Sequence, residues 1–245
     1  MPPARLTAAA VKRGAAAVQN PARGGFSERS FRTGPGEYGE GDKFLGLPVP
    51  EQRRIAETFE LLPLRELAKL ISSPIHEHRL IALIITVNRH RKGSPEERDA
   101  LHLFYLANLA GVNNWDLVDT SAAALVGEHI PGNPALLSEL VASPNLWLRR
   151  IAIISTFAAL RSGRTALTFR IAELLLDDKQ DLIHKAAGWL LREAGKLDEV
   201  ELQEFLGKHY ARLPRTALRY AIERLDRADR ERRLLGPPPT IKRWQ

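Results

Sequence analysis

From Pro50 to about residue 226, apolar residues recur three and four positions apart, and Pro, Gly, Asn and Ser break the pattern at short intervals. No stretch reads as a strand. The spacing predicts helices over 4–19, 50–61, 63–72, 75–91, 95–110, 115–128, 134–142, 146–162, 165–177, 180–196, 198–208 and 214–226. Residues 20–48, rich in Gly, read as the longest irregular stretch. Short loops between successive helices favour antiparallel packing. Segments beginning at Pro74, Trp115, Pro144 and Gln180 recur, with drift, near the period of about 40–47 residues typical of HEAT and armadillo repeats. The expected fold class is therefore all-α: an α-solenoid of HEAT-like helical repeats, an αα superhelix that binds through a concave groove. The expected organisation is an N-terminal helix and Gly-rich loop over 1–48, a repeat domain over 49–230 and a flexible C-terminal tail over 231–245.

The chemistry shows where large or charged side chains depart from the apolar stripes. In 180–196, Ile183, Ala187, Leu190, Leu191 and Ala194 share one face at about 100° per residue. Trp189 points to the opposite side, among Lys185, Arg192 and Lys196. A tryptophan among cations suits a stacking or cation–π platform better than a core position. In 114–128, Leu117, Val118, Ser121 and Leu125 form the buried side, and Trp115 and Asp119, four apart, lie together on another. Ala122, Ala123 and Val126 continue that second side and leave it open. Two readings of the Trp115–Asp119 pair stand: a chemically active pair, or a helix start in which Asn114 caps and the acids complement the dipole. In 145–158, Trp147, Ile151, Ile154 and Ala158 form the core stripe; Arg150 borders it and Arg149 points away.

Gly34, Gly36 and Gly39 match the dinucleotide fingerprint G-x-G-x-x-G letter for letter. That fingerprint works only between a strand and a helix. No strand precedes it, so no nucleotide cofactor is expected. The loop around it is either a structural cap on the first repeat or a ligand-contacting segment offering Tyr38 and Lys43.

Composition narrows the functions. The 245 residues carry 36 Lys and Arg against 29 Asp and Glu, a net charge of +7, which favours an anionic partner. Cysteine is absent, so thiol nucleophiles, disulfides and cysteine-ligated zinc are excluded. The seven histidines suggest no metal site; His76 and His78, two apart on a helix, face different ways. The first residues lack acids, as transit peptides do, but read better as an Ala-rich helix made amphipathic by Lys12 and Arg13. No run reaches membrane-spanning length.

Several runs, in order, resemble the AlkD-type DNA alkylation repair proteins: FLGLPVPEQRR at 44–54, NWDLVD at 114–119, NLWLRR at 145–150 and HKAAGWLLREAGK at 184–196. The resemblance covers roughly 40–230. It implies a superhelix of HEAT-like repeats gripping duplex DNA in a basic groove and hydrolysing the N-glycosidic bond of purines alkylated at N3 or N7. It also implies Asp119, Trp115 and Trp189 as catalytic residues and Arg150 as a phosphate contact; the helix faces and the loop read above add Arg149, Lys185, Arg192, Lys196, Tyr38 and Lys43 as candidate DNA contacts. The expected protein is a monomeric, cofactor-free, monofunctional glycosylase of the bacterial cytosol and nucleoid. The alternatives are a non-catalytic binder of damaged or branched DNA and a protein-interaction solenoid, the latter predicting an apolar groove. A phosphate-contacting groove makes duplex affinity fall steeply from low to physiological salt, because neutralised phosphates release counterions. A titration showing level affinity across that range contradicts the groove.

Overall fold

The computed structural model describes residues 6–235, which form fifteen α-helices, two short 3₁₀ turns and no strand. They divide into two compact units meeting at Leu125 and Val126. The first unit contains α1 (Ala8–Ala17), α2 (Pro21–Ser30), α3 (Val49–Thr58), α4 (Leu64–Ile71), α5 (His76–Lys92), α6 (Pro95–Ala107) and α7 (Trp115–Leu125). The second contains α8 (Ala135–Val141), α9 (Leu146–Ser155), α10 (Phe157–Arg161), α11 (Ala166–Leu174), α12 (Asp181–Gly195), α13 (Glu199–His209), α14 (Arg215–Ala221) and α15 (Arg227–Leu235). No described helix is long and apolar enough to cross a membrane.

Helix α5 is the axis of the first unit. Every residue from His76 to Val87 is buried, and α1, α3, α4, α6 and α7 all pack against it. A helix apolar on all sides suits such a central position, and Leu80–Ile85 supply that part of it. Its first turn is different. His76, Glu77, His78 and Arg79 are polar and equally buried, so each must find partners inside the fold.

Those partners come largely from the Gly-rich segment, which is not irregular throughout. Residues 21–30 form α2, started by Asn20, whose side chain accepts from the Arg23 N–H, and by Pro21 in the first turn. Gly24 weakens the helical pattern, which is why the segment reads as loop. It is required because a Cβ there would lie 2.9 Å from the Phe44 carbonyl oxygen. Gly46 sits at φ +78°, and a Cβ would come 2.2 Å from the Asn20 carbonyl oxygen, so only glycine fits that turn. The Glu77 carboxylate accepts from the N–H groups of Leu45 (3.0 Å), Gly46 (2.8 Å) and Leu47 (3.2 Å). One buried carboxylate thus pins the whole turn, a charge-assisted arrangement stronger than three neutral bonds.

In the second unit α12 is central, packing on α9, α10, α11, α13 and α14. Its closest neighbour is α14, and Gly188 makes the approach possible: a Cβ there would stand 2.4 Å from the Ala217 carbonyl oxygen. The stretch expected as one helix over 146–162 divides at Thr156. The Ala159 N–H bonds the Thr156 carbonyl, while the Thr156 hydroxyl bonds back to Ile153 and accepts from Thr168. Such back-bonding competes with a continuous helix. Residue 231, expected to begin a flexible tail, lies inside α15; 236–245 lie outside the described residues.

Gly188→Ala must push α14 off α12. The expected loss is about 1–3 kcal/mol, read as a lowered Tm with helical circular dichroism kept below the transition. An unchanged melt would show that the two helices do not need this contact.

Candidate functional site

Helix α7 starts from a buried asparagine. The Asn114 side-chain oxygen accepts from the Trp115 N–H at 2.8 Å, and its amide donates to Asp42 at 3.2 Å. Asn114 thus ties the first residue of α7 to the Gly-rich loop, whereas a capping side chain accepts from the second or third helical N–H. Leu117, Val118, Ser121 and Leu125 are buried as the periodicity predicts. Trp115 and Asp119, one turn apart, are both half-buried. Ala122, Ala123 and Val126, expected to leave that side open, are buried, which confines any accessible surface to the first turns of α7.

Around Trp115 the structure assembles residues that periodicity did not single out. The indole stacks on Phe31 at 5.1 Å with the rings 6° from parallel. Phe31 in turn meets Phe44 and His76, each at 4.9 Å between centroids, and Phe44 stacks on His76 at 4.6 Å. Beneath the rings His76 bridges two acids: Nδ1 lies 3.2 Å from Asp42 and Nε2 2.8 Å from Asp116. Asp42 also takes a 2.6 Å ion pair from Arg79, whose guanidinium donates to the Ser73 carbonyl as well. The acids sit on opposite nitrogens of one ring, so the group is a hydrogen-bonded chain. Among the described residues no cluster is placed to hold a metal ion.

The electrostatics follow from those contacts. Burial alone would raise the Asp42 carboxyl, but the bond from His76 and the charge of Arg79 outweigh it and hold the pKa below the usual carboxylate value. Burial alone would lower His76, but the bonds to Asp116 and Asp42 overcome it and raise the imidazole. His78, two residues away, goes the other way: burial first, then the charges of Lys12 and Arg79, bring it down to about 4. The two histidines are thus shifted in opposite directions, His76 toward its charged form and His78 toward its neutral one. Burial, with the Asp119 charge adding to it, also pushes the Tyr105 phenol above its ordinary range.

The Gly-rich loop itself is a cap. The Gly34 and Gly36 N–H groups, which a nucleotide fingerprint would turn to phosphate, donate instead to Glu37 (3.0 Å) and Glu40 (2.9 Å). Lys43 bridges to α5 through its backbone, its N–H bonding Pro74 and its carbonyl accepting from His76. Its side chain is exposed, and Tyr38 is half-buried.

In the second unit Trp147 is buried, as its place in the stripe predicts. Trp189 is half-buried and leans on Phe157, centroids 5.8 Å apart; Arg161 sits over the Phe157 ring at 4.9 Å. The cations predicted around Trp189 are engaged within the unit. Lys185 pairs with Asp181 at 2.7 Å, Lys196 with Glu193, and Arg192 with both Glu193 and Glu223. Arg149 binds Asp178 at 2.6 Å and the carbonyls of Ser143 and Pro144. Arg150 is buried and donates to the Leu182 carbonyl at the start of α12. Helical spacing already puts Asp181 beside Lys185 and Glu193 beside Lys196, whereas Asp178 and Glu223 come from outside the helices of the arginines they bind.

Phe31→Ala uncovers one face of Trp115. The expected result is stronger acrylamide quenching of the fluorescence component that Trp115→Phe removes, with a stability loss of roughly 2–4 kcal/mol. Unchanged quenching would mean that Phe31 does not shield the indole.

A family model described as DNA alkylation repair enzyme matches residues 12–225. Among solved structures, one described as a predicted DNA alkylation repair enzyme from Enterococcus faecalis is similar, with a TM-score of 0.66, 19% identity, and coverage of 85% of this chain and 97% of that one. At that identity the likeness shows a shared fold. No curated protein matches the chain significantly. The family match extends from α1 to the residues following α14, and with the helical fold it places this chain in the DNA alkylation repair enzyme family.

Proposed function

We propose that the protein is a monofunctional DNA glycosylase that hydrolyses the N-glycosidic bond of purines alkylated at N3 or N7 in duplex DNA. The observation that carries the reading is the Trp115–Asp119 pair, an indole and a carboxylate one turn apart at the start of α7 in a member of a DNA alkylation repair family.

A purine alkylated at N3 or N7 is already cationic and leaves without a general acid. The glycosidic electron pair departs with the purine, neutralising it, and positive charge develops on the deoxyribose. A nearby carboxylate stabilises that charge and orients the water that adds to C1′. Asp119 has this role. The water gives up one proton, and the products are an abasic sugar and a neutral alkylpurine. Trp115 supports the developing cation with its π face. Its stacking on Phe31 limits it to the other face or an edge.

In the second unit, Trp189 offers a π surface backed by Phe157. The role of Arg150, buried in α9, is to stiffen the start of α12 through Leu182 and to meet a phosphate by exchanging a present partner for it. Arg149, Lys185, Arg192 and Lys196 reach phosphate by exchanging their present carboxylate partners for it. Such exchange makes them contributors to affinity more than to register. Exposed Arg32, next to Phe31, and Lys43 give the first unit its own cations.

The test is release of 7-methylguanine from methylated duplex DNA. Wild type is expected to release it. Asp119→Asn should be slower by about a hundredfold or more while binding the duplex with wild-type affinity. Binding without release by the wild type would favour a non-catalytic binder of damaged DNA.

A further inference from the structure

We propose that His76, clasped between Asp42 and Asp116, is a positioning residue that fixes the first turn of α7 and, through it, Trp115 and Asp119. The inference rests on the glycosylase reading for its effect on activity, but the clasp itself is argued from geometry.

Both ring nitrogens of His76 meet carboxylate oxygens, Nδ1 with Asp42 and Nε2 with Asp116. A carboxylate only accepts, so the imidazolium alone donates to both acids at once; the Arg79 guanidinium, 3.4 Å from Nδ1, is the donor that the neutral Nε2–H ring would accept from instead. The charged groups facing it are Asp42 from the loop, Asp116 from α7 and Arg79 from its own helix. Two acids against two cations balance when the ring is protonated. Glu77 and His78, its neighbours in α5, point elsewhere, to the 45–47 turn and to Ser73. The other faces of the ring are covered by Phe31 and Phe44.

The clasp holds α7 at its origin. Asp116 follows Trp115 directly and spends its second oxygen on the Leu117 N–H. Asp42, at the other end of the clasp, holds Asn114, the residue before Trp115. The ring that stacks on Trp115, Phe31, also leans on His76. Losing the ring proton removes one donor and leaves the buried Asp42 and the half-buried Asp116 against one guanidinium, which loosens the turn.

The sign of the pH effect is fixed by the raised pKa of His76. A proton bound more tightly in the folded state contributes fully below the ordinary histidine value of about 6.5 and is lost as pH rises through the higher folded value. The clasp is therefore intact on the acid side and released as pH rises through the raised value.

The test compares wild type, His76→Gln and Asp116→Asn, all labelled with 5-fluorotryptophan, the Trp115 resonance being assigned by its loss in Trp115→Phe. In wild type that resonance should shift with pH, with a midpoint above about 6.5. It should not titrate in His76→Gln, and in Asp116→Asn the midpoint should fall. Single-turnover release of 7-methylguanine at saturating DNA should be roughly tenfold slower or more in His76→Gln, with duplex affinity unchanged and the alkaline decline of the wild type abolished. A Trp115 resonance indifferent to pH in wild type, or titrating equally in His76→Gln, overturns the proposal. So does a His76→Gln rate profile parallel to and level with the wild type. If wild type releases no alkylpurine, the glycosylase reading fails, and the fluorine titration still decides the clasp. If His76→Gln does not fold, the Asp116→Asn midpoint decides it, an unchanged value counting against the proposal.

Discussion

Burying the polar first turn of α5 is the constraint on which the first unit is built. His76, Glu77, His78 and Arg79 are all inside the fold, where an unpaired charge costs several kcal/mol. Each is met by a specific partner: Asp42 and Asp116 for His76, three backbone N–H groups for Glu77, Ser73 for His78, and Asp42 with the Ser73 carbonyl for Arg79. Meeting them, all but His78 Nε2 and Arg79 Nε, draws the Gly-rich segment across the end of α5 and ties it to the start of α7. The segment whose letters imitate a nucleotide-binding fingerprint is thus a structural cap, its glycine N–H groups committed to Glu37 and Glu40.

That cap is what furnishes the surroundings of Trp115. Phe31 ends α2 and Phe44 precedes the Gly46 turn, so the aromatic cluster exists only because Glu77 and Asp42 hold this segment in place. Apolar stacking and buried ion pairs reinforce each other here. The rings keep water from the His76 bridge, and in the resulting low dielectric its hydrogen bonds are stronger.

The second unit handles its charge differently. Lys185, Arg192, Lys196 and Arg149 are paired with acids of the same unit. Most of these pairs are partly solvated, and such pairs contribute little stability, so phosphate can compete for the cations without unfolding anything. The pairing lowers the local positive potential without removing the cations. A count of Lys and Arg therefore overstates the field this unit presents.

The chain by itself determined the all-helical class, the positions of most helices and the family, because apolar spacing and local motifs are written in consecutive residues. It also placed Trp147 in the core, and Trp115 with Asp119 on one face of α7, since both follow from 100° per residue within a single helix. It did not reveal α2, where Gly24 weakens the local signal for the sake of a close approach to Phe44. Nor did it reveal that Ala122 and Ala123 are covered, or that Arg192 beside Trp189 pairs with the distant Glu223. His76 was legible only as a histidine out of step with His78. Its bridge joins residues 34 and 40 positions away in sequence, and no periodicity encodes a contact between segments. Helical spacing is a property of one segment. Burial, ion pairing and protonation belong to the groups that several segments bring together, and only the tertiary structure decides them.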